Sequence, residues 1–181
     1  SSKHVLYRAS EKASRLLLGR VYLHMQEWEN AKNILEPLFG NIALSSLVAG
    51  DTLSEDNRFL NEDNTELIFS QVCWTGNAPE FCVSRELYNL YDENDRRKGC
   101  FKKNVDTDSL ALLYKYNTGN YQARVSDVLM LRAAEAYLNM AEACAMLGTD
   151  DATANKYLNE LLRNRIVGYQ DQTYTGEELV K

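Results

Sequence analysis

The chain has 181 residues, 45% of them hydrophobic and 25% charged, which is enough to bury ~70% of its extended-chain surface around one core. Twenty basic against 26 acidic residues leave a net charge of −6 with both signs interspersed, which argues against nucleic acid or an anionic membrane as partner, because both need clustered positive charge. The longest apolar run, Leu16-Leu17-Leu18, is cut by Gly19 and Arg20, far short of the roughly 20 residues of a membrane span, and no charged-then-apolar secretion signal is visible.

Residues 9–39 read as a first helical hairpin. Ala13, Leu16, Leu17, Gly19, Val21 and Leu23 to Met25 surround a helical stripe, Ala31, Ile34, Leu35 and Leu38 continue it in a second helix, and Pro37 should end that helix. Leu18-Gly19-x-x-Tyr22 followed by Ala31 and Leu35 has the tetratricopeptide spacing. Gly19 costs ~1 kcal/mol relative to Ala inside a helix, so its presence predicts a partner helix too close for a side chain. Tyr22 and Trp28 sit at hairpin spacing and are expected to be structural.

Residues 40–125 read as an irregular insertion with short strands. The stretch 40–65 is rich in Asn, Asp, Ser and Gly, residues 67–73 suggest a short strand, and 74–80 a turn-rich loop with Gly76 and Pro79. Ser84 should cap a short helix reaching Tyr91, 92–107 is polar, and 110–116 suggests a second strand. So long an irregular stretch inside a domain predicts function.

Residues 126–165 read as a second hairpin, with Ser126 as N-cap, Tyr137 in the place of Tyr22, Gly148 as helix stop, and Ala154, Leu158, Leu161 and Leu162 on the return. The two tyrosines lie 137 − 22 = 115 residues apart, not the roughly 34 of a tandem array, so the hairpins are dispersed. Thr175-Gly176-Glu177-Glu178 has a capping-box pattern, so 175–181 reads as the start of a truncated helix; with Ser1 at the other end, the expectation is a single-domain fragment of a longer protein. Cys144, in an Ala-rich helix, is expected to be a buried apolar group. A Cys73–Cys82 bridge is an alternative that nothing else in the sequence supports.

The last hairpin carries Arg132-x-x-Glu135, then Tyr137-Leu138-x-x-Ala141-Glu142-Ala143, then Leu158-Asn159-x-x-x-Arg163-x-Arg165. This combination resembles the RagB/SusD family of outer-membrane nutrient-binding lipoproteins. Upstream, Asn64-Thr65-Glu66-Leu67-Ile68-Phe69 is similar to the family's Asn-x-Glu-x-Ile-Phe segment, Tyr91-Asp92…Asp95-Arg96-Arg97 to its Tyr-Asp…Asp-x-Arg segment, and Tyr114-Lys115-Tyr116 to its Lys-Tyr strand. The family's N-terminal region and the Glu-Arg and Gly-rich segment that follows are not matched. The resemblance implies a mainly α, tetratricopeptide-like α/α scaffold. It also implies non-catalytic capture of an oligosaccharide or other nutrient at the cell surface, at the outer membrane, for delivery to a SusC-like TonB-dependent transporter, with any lipid anchor outside these residues.

Candidate chemistry weighs against an enzyme. Only His4 and His24 are present, with no H-E-x-x-H, no phosphate-binding loop and no G-x-S-x-G, so neither metal nor cofactor is expected. Residues 92–103 imitate a calcium loop, but Arg96, Arg97 and Lys103 stand at positions where ligands or Gly are needed. Arg132, Glu135, Glu142, Asn159, Arg163 and Arg165 are expected to form a structural polar network, with the glutamates paired to Arg163 or Arg165, since buried charges must be paired. For ligand binding the better candidates are Trp74, Asn77, Phe81 and Arg85, which mix aromatic platforms with amide and guanidinium groups around a Gly/Pro loop, as sugar faces and hydroxyl rims require. Two rivals stand beside this reading. A tetratricopeptide-type protein-interaction module would call for tandem repeats; a glycan-cleaving enzyme would need two carboxylates roughly 5–9.5 Å apart across a cleft.

Overall fold

In the computed structural model, which describes residues 7–44, 66–71, 82–103, 111–113 and 128–180, the first helix starts at a capped serine. Ser10 is extended (φ −111°, ψ 165°) and its hydroxyl accepts from the Ala13 N–H at 3.2 Å, so α1 runs Glu11–His24. Gln26, at φ +59°, reverses the chain, and α2 follows as Trp28–Leu35. Pro37 acts as its position predicts: the α-helix stops at Leu35 and a 3-10 turn takes over at Glu36–Leu38.

α1 buries Ala13, Leu16, Gly19 and Leu23, a single stripe at helical spacing, while Leu17, Leu18, Val21 and Met25 stay more than a third exposed. The buried face of α1 is thus narrower than its apolar composition suggests. Gly19 lies against Leu35: a Cβ built on it would sit 2.6 Å from Leu35 Cδ2 and 2.8 Å from Cγ, closer than real Cβ atoms approach. The glycine is there because α2 occupies its side-chain space.

After the insertion, α4 (Ala133–Leu147) and α5 (Asp151–Arg163) form the second hairpin, with Gly148 at φ +67° in the left-handed conformation that closes α4. α2 packs against both α1 and α4, and α4 against α5, giving a mainly helical layer in the order α1, α2, α4, α5. Six alanines along α4 (Ala133, Ala134, Ala136, Ala141, Ala143 and Ala145) are buried, and their small side chains let the neighbouring helices approach. Leu16, Leu35, Leu38, Met140 and Cys144, all at most 1% exposed, make the core; the Cys144 thiol meets Met140 Sδ at 3.8 Å. Leu23, Ala31 and Ala143 form a second cluster covered by Tyr22 and Trp28. Phe39, Tyr137 and Tyr157 pack edge-on or tilted, with centroids 4.3–5.8 Å apart, where the two hairpins meet. A short α6 (Glu177–Val180) packs on α4 and α5, sending Leu179 to the core, and Glu178 accepts from the Thr175 N–H at 3.2 Å as the capping-box pattern requires.

Two small sheets accompany the helices. β1 (Leu67–Gln71) pairs antiparallel with β5 (Val128–Arg132) through an irregular register, Leu67 opposite Arg132 and Gln71 opposite Val128. β2 (Cys82–Val83), β4 (Ala111–Leu113) and β3 (Phe101–Lys103) form the other, in the order β2-β4-β3. Between them lie α3 (Arg85–Asn89) and a 3-10 turn at Arg96–Cys100.

Two readings of the sequence are corrected. The second hairpin does not begin as a helix near Ser126, which lies outside the described residues: Val128 to Arg132 is strand, and α4 starts at Ala133 after an extended Arg132 (φ −136°, ψ 154°). A run of Val-Leu-Met-Leu fits either state, and pairing with β1 decides it. Likewise the polar stretch 92–107 holds β3, whose lysine-rich sequence is a strand only because β4 lies alongside.

Candidate functional site

Of the four ligand-binding candidates, Trp74, Asn77 and Phe81 lie outside the described residues. Arg85 is the first residue of α3, placed there by Ser84, whose hydroxyl accepts from the Leu87 N–H at 3.2 Å. One turn on, Tyr88 and Tyr91 are both half-buried. Lys98 Nζ stands 5.3 Å above the Tyr88 ring and the Arg97 guanidinium 5.0 Å above that of Tyr91. Lys98 also pairs with Glu93, and Leu87 and Leu90 are exposed. This arm, 84–98, brings two tyrosine rings and two cations together, and Arg85 is near its start in the chain.

The arm ends in a tight turn. Asp95, 5% exposed, holds Arg97 by three side-chain contacts of 2.6–3.2 Å and by the Arg97 N–H at 2.9 Å. The turn is then laid against the chain just after α5: the Arg96 N–H donates to the Arg165 carbonyl at 2.8 Å, the Val167 N–H to the Asn94 carbonyl at 2.9 Å, and Asp95 bridges Ile166 antiparallel. The same Arg165 turns inward, 3% exposed, and its Nη2 donates to both oxygens of the fully buried Glu66 at 2.7 and 2.8 Å. Arg132 Nη1 lies 3.9 Å from that carboxylate, and the Glu66 carbonyl accepts from the Ala133 N–H, which extends the β1–β5 ladder into the start of α4.

The polar network therefore differs from the one expected within the hairpin. Glu135 pairs with Arg20 of α1, two parallel bonds of 2.7 and 2.9 Å that raise the Arg20 pKa, and neither Arg163 nor Arg165 reaches it. Glu142 points to solvent and, among the described residues, forms no ion pair. Arg132 is the last residue of β5, and its guanidinium reaches Glu66 of the neighbouring chain segment. Glu66 and Arg20 were both open to inference: each is a charge beside an otherwise apolar run, Leu67-Ile68-Phe69 in one case and Leu16-Leu17-Leu18 in the other.

Asn159 and Arg163 face the segment that follows α5. Asn159 accepts from the Gln172 N–H (3.0 Å) and the Tyr169 hydroxyl (2.7 Å) and donates to the Gln172 carbonyl (2.8 Å). One turn earlier Asn155 repeats the motif on Tyr174, at 2.8 and 2.7 Å, and one turn before that Asp151 accepts from the Gly176 N–H. Arg163 adds a forked pair with Asp171, which raises the arginine pKa and lowers that of the aspartate. The spacing matches because four helical residues rise ~6 Å and two extended residues ~6.6 Å. Polar side chains at 151, 155 and 159 thus read every second residue of an extended strap, at 176, 174 and 172, and Arg163 takes the side chain of Asp171 beside them.

Elsewhere, Lys32 and Asp150 hydrogen-bond at 2.5 Å between the two hairpins, each stabilising the other's charged form. Burial pushes the Cys144 thiol up to about 11. Among the described residues no three His, Cys, Asp or Glu side chains cluster to hold a metal, and no helix is long and apolar enough to cross a membrane.

The model of the SusD family matches residues 101–178. No match is found among curated proteins. Similar solved structures include a SusD superfamily protein from Bacteroides thetaiotaomicron (22% identity, TM-score 0.69, covering 92% of this chain and 43% of that one). A SusD-like carbohydrate binding protein from Bacteroides vulgatus is 19% identical with TM-score 0.72, covering 97% and 41%, and surface glycan-binding protein A from Bacteroides uniformis is 16% identical with TM-score 0.73, covering 97% and 46%. The chain thus spans less than half the length of each of these structures. The fold agrees with that of these structures along nearly all of the chain, and the sequence is similar to the SusD family model over residues 101–178; the chain itself is mainly α and built on dispersed helical hairpins.

Proposed function

We propose that this chain is part of a non-catalytic protein that captures glycan at the cell surface, at the outer membrane, and delivers it to a SusC-like TonB-dependent transporter. The observation that carries the reading is the fold shared with proteins described as surface glycan-binding and SusD-like carbohydrate binding, together with the family match over residues 101–178. Capture is a matter of reversible contact: flat rings cover the apolar face of a sugar, and amide and guanidinium groups take its hydroxyls. Trp74, Asn77, Phe81 and Arg85 are the residues we assign to it, with Tyr88 and Tyr91 on the adjoining arm.

The test is a titration of the full-length protein against a glycan panel, followed by product analysis of each mixture. The chain has two tryptophans, and Trp28 is engaged in the first hairpin, so a ligand-dependent change in fluorescence should disappear in Trp74→Ala. Weaker binding in a variant of unchanged circular dichroism supports the assignment. Equal affinity removes Trp74 from the site, and cleaved sugar would make the protein an enzyme instead.

A further inference from the structure

The turn that follows α5 does more than end a helix. Its side chain Arg165 is buried on Glu66, the residue from which β1 starts and whose carbonyl receives the first N–H of α4. Its main chain, over Arg165 to Val167, pairs with Asn94 to Arg96 at the end of the arm that Arg85 begins. Three stretches far apart in sequence, near 66, 95 and 165, are thereby fixed to one another at a single point. A buried ion pair is a poor source of stability, because removing two charges from water offsets most of their attraction, yet its forked geometry admits one arrangement where apolar packing would admit several.

Building on the glycan-capture reading above, we propose that Arg165 is a positioning residue for ligand binding: by joining Glu66 to the Asn94–Arg96 turn it holds the α3 arm, with Arg85, Tyr88 and Tyr91, in register with the helical layer. It does not touch the ligand. Arginine suits the role because its rigid planar guanidinium gives Nη2 to both carboxylate oxygens while Nη1 donates to the Asn164 carbonyl at 3.4 Å; a lysine would be a point charge on a freer stem.

The experiment uses the full-length protein and two variants. Glu66→Leu/Arg165→Met replaces the ion pair by apolar groups of similar size, an exchange that often leaves stability unchanged while removing the directional joint. Val167→Pro removes the N–H given to Asn94 from a half-exposed site without touching the ion pair. Hydrogen exchange and thermal melting are measured on each, together with affinity for the glycan that binds best in the panel. The expected result is a melting temperature near that of the wild type, faster exchange over 84–98 with α1 and α2 unchanged, and affinity reduced roughly tenfold. Unchanged exchange over 84–98 in both variants overturns the joint whatever the ligand does. Faster exchange with undiminished affinity overturns positioning. A wild-type protein that binds no glycan is a separate result: it removes the capture reading, and the proposal with it.

Discussion

Gly19 offers the sharpest test of how the two hairpins are assembled. In Gly19→Ala the new methyl gains roughly 1 kcal/mol of helix propensity, because alanine loses less backbone freedom on folding. Against this stands the contact with Leu35, whose Cδ2, Cγ and Cδ1 would lie 2.6, 2.8 and 3.2 Å from the added carbon. A flexible neighbour could swing aside, but Leu35 is 0% exposed and belongs to the central cluster, so moving it displaces its own partners. Overpacking of this kind costs about 1–3 kcal/mol, and with two atoms inside 3 Å the upper half of that range applies, leaving a net loss of about 1–2 kcal/mol. For a chain of this size that is a fall of roughly 2–8 °C in melting temperature. Gly19→Leu, which adds three more carbons at the same point, should fall further. Differential scanning calorimetry on wild type, Gly19→Ala and Gly19→Leu decides the matter, and an alanine variant melting at or above the wild type would refute the close-packing argument. Coupling with Leu35→Ala sharpens the result: the space left by the leucine should make Gly19→Ala harmless or helpful there.

Glu66→Ala should cost about 3–5 kcal/mol by leaving Arg165 buried without its carboxylate, whereas Glu142→Ala, on the exposed face of the same layer, should stay within about 0.5 kcal/mol; urea unfolding of both separates them. Asn159→Ala removes the acceptor of two hydrogen bonds and the donor of a third, a loss of about 2–3 kcal/mol that should appear as faster chymotryptic cleavage after Tyr169 and Tyr174. Burial holds the Cys144 thiol at about 11 against an ordinary 9.0, so the unfolded chain releases this proton at lower pH than the folded one; the associated stability is complete below about pH 9 and declines as pH rises toward 11. The decline should be shallower in Cys144→Ala, by denaturant midpoints measured on either side of that window.

The hairpins were legible because helices announce themselves locally: Ser10 as cap, Pro37 as stop, Gly148 as the left-handed closure, and a glycine where another helix must come close. What could not be read was partnership. Val128 to Leu131 has the composition of a buried helix, and only the presence of β1 alongside turns it into strand. The polar residues show the same divide. That arginines and glutamates of the last hairpin needed partners followed from elementary electrostatics, but the partners, Arg20 and Glu66, lie 115 and 99 residues away along the chain, a distance over which spacing carries no information. The Asp-x-Arg segment was visible as a motif, yet its fastening to Ile166 depends on a reverse turn that no local pattern encodes.

The ladder on α5 has a bearing on which parts of this protein are free to change. Asn155 and Asn159 grip only main-chain groups of Gln172 and Tyr174, and the side chains of Gln170, Gln172 and Thr173 lie in solvent. Between 172 and 174 the strap is thus held through its main chain, whereas Tyr169 and Asp171 anchor its beginning through their side chains. Proline at 172 or 174 would delete a donor that the asparagines require, while most other residues there should be accepted. Foreign sequence, such as an epitope or a labelling tag, could be written into this edge of the molecule and be presented in a fixed, extended form.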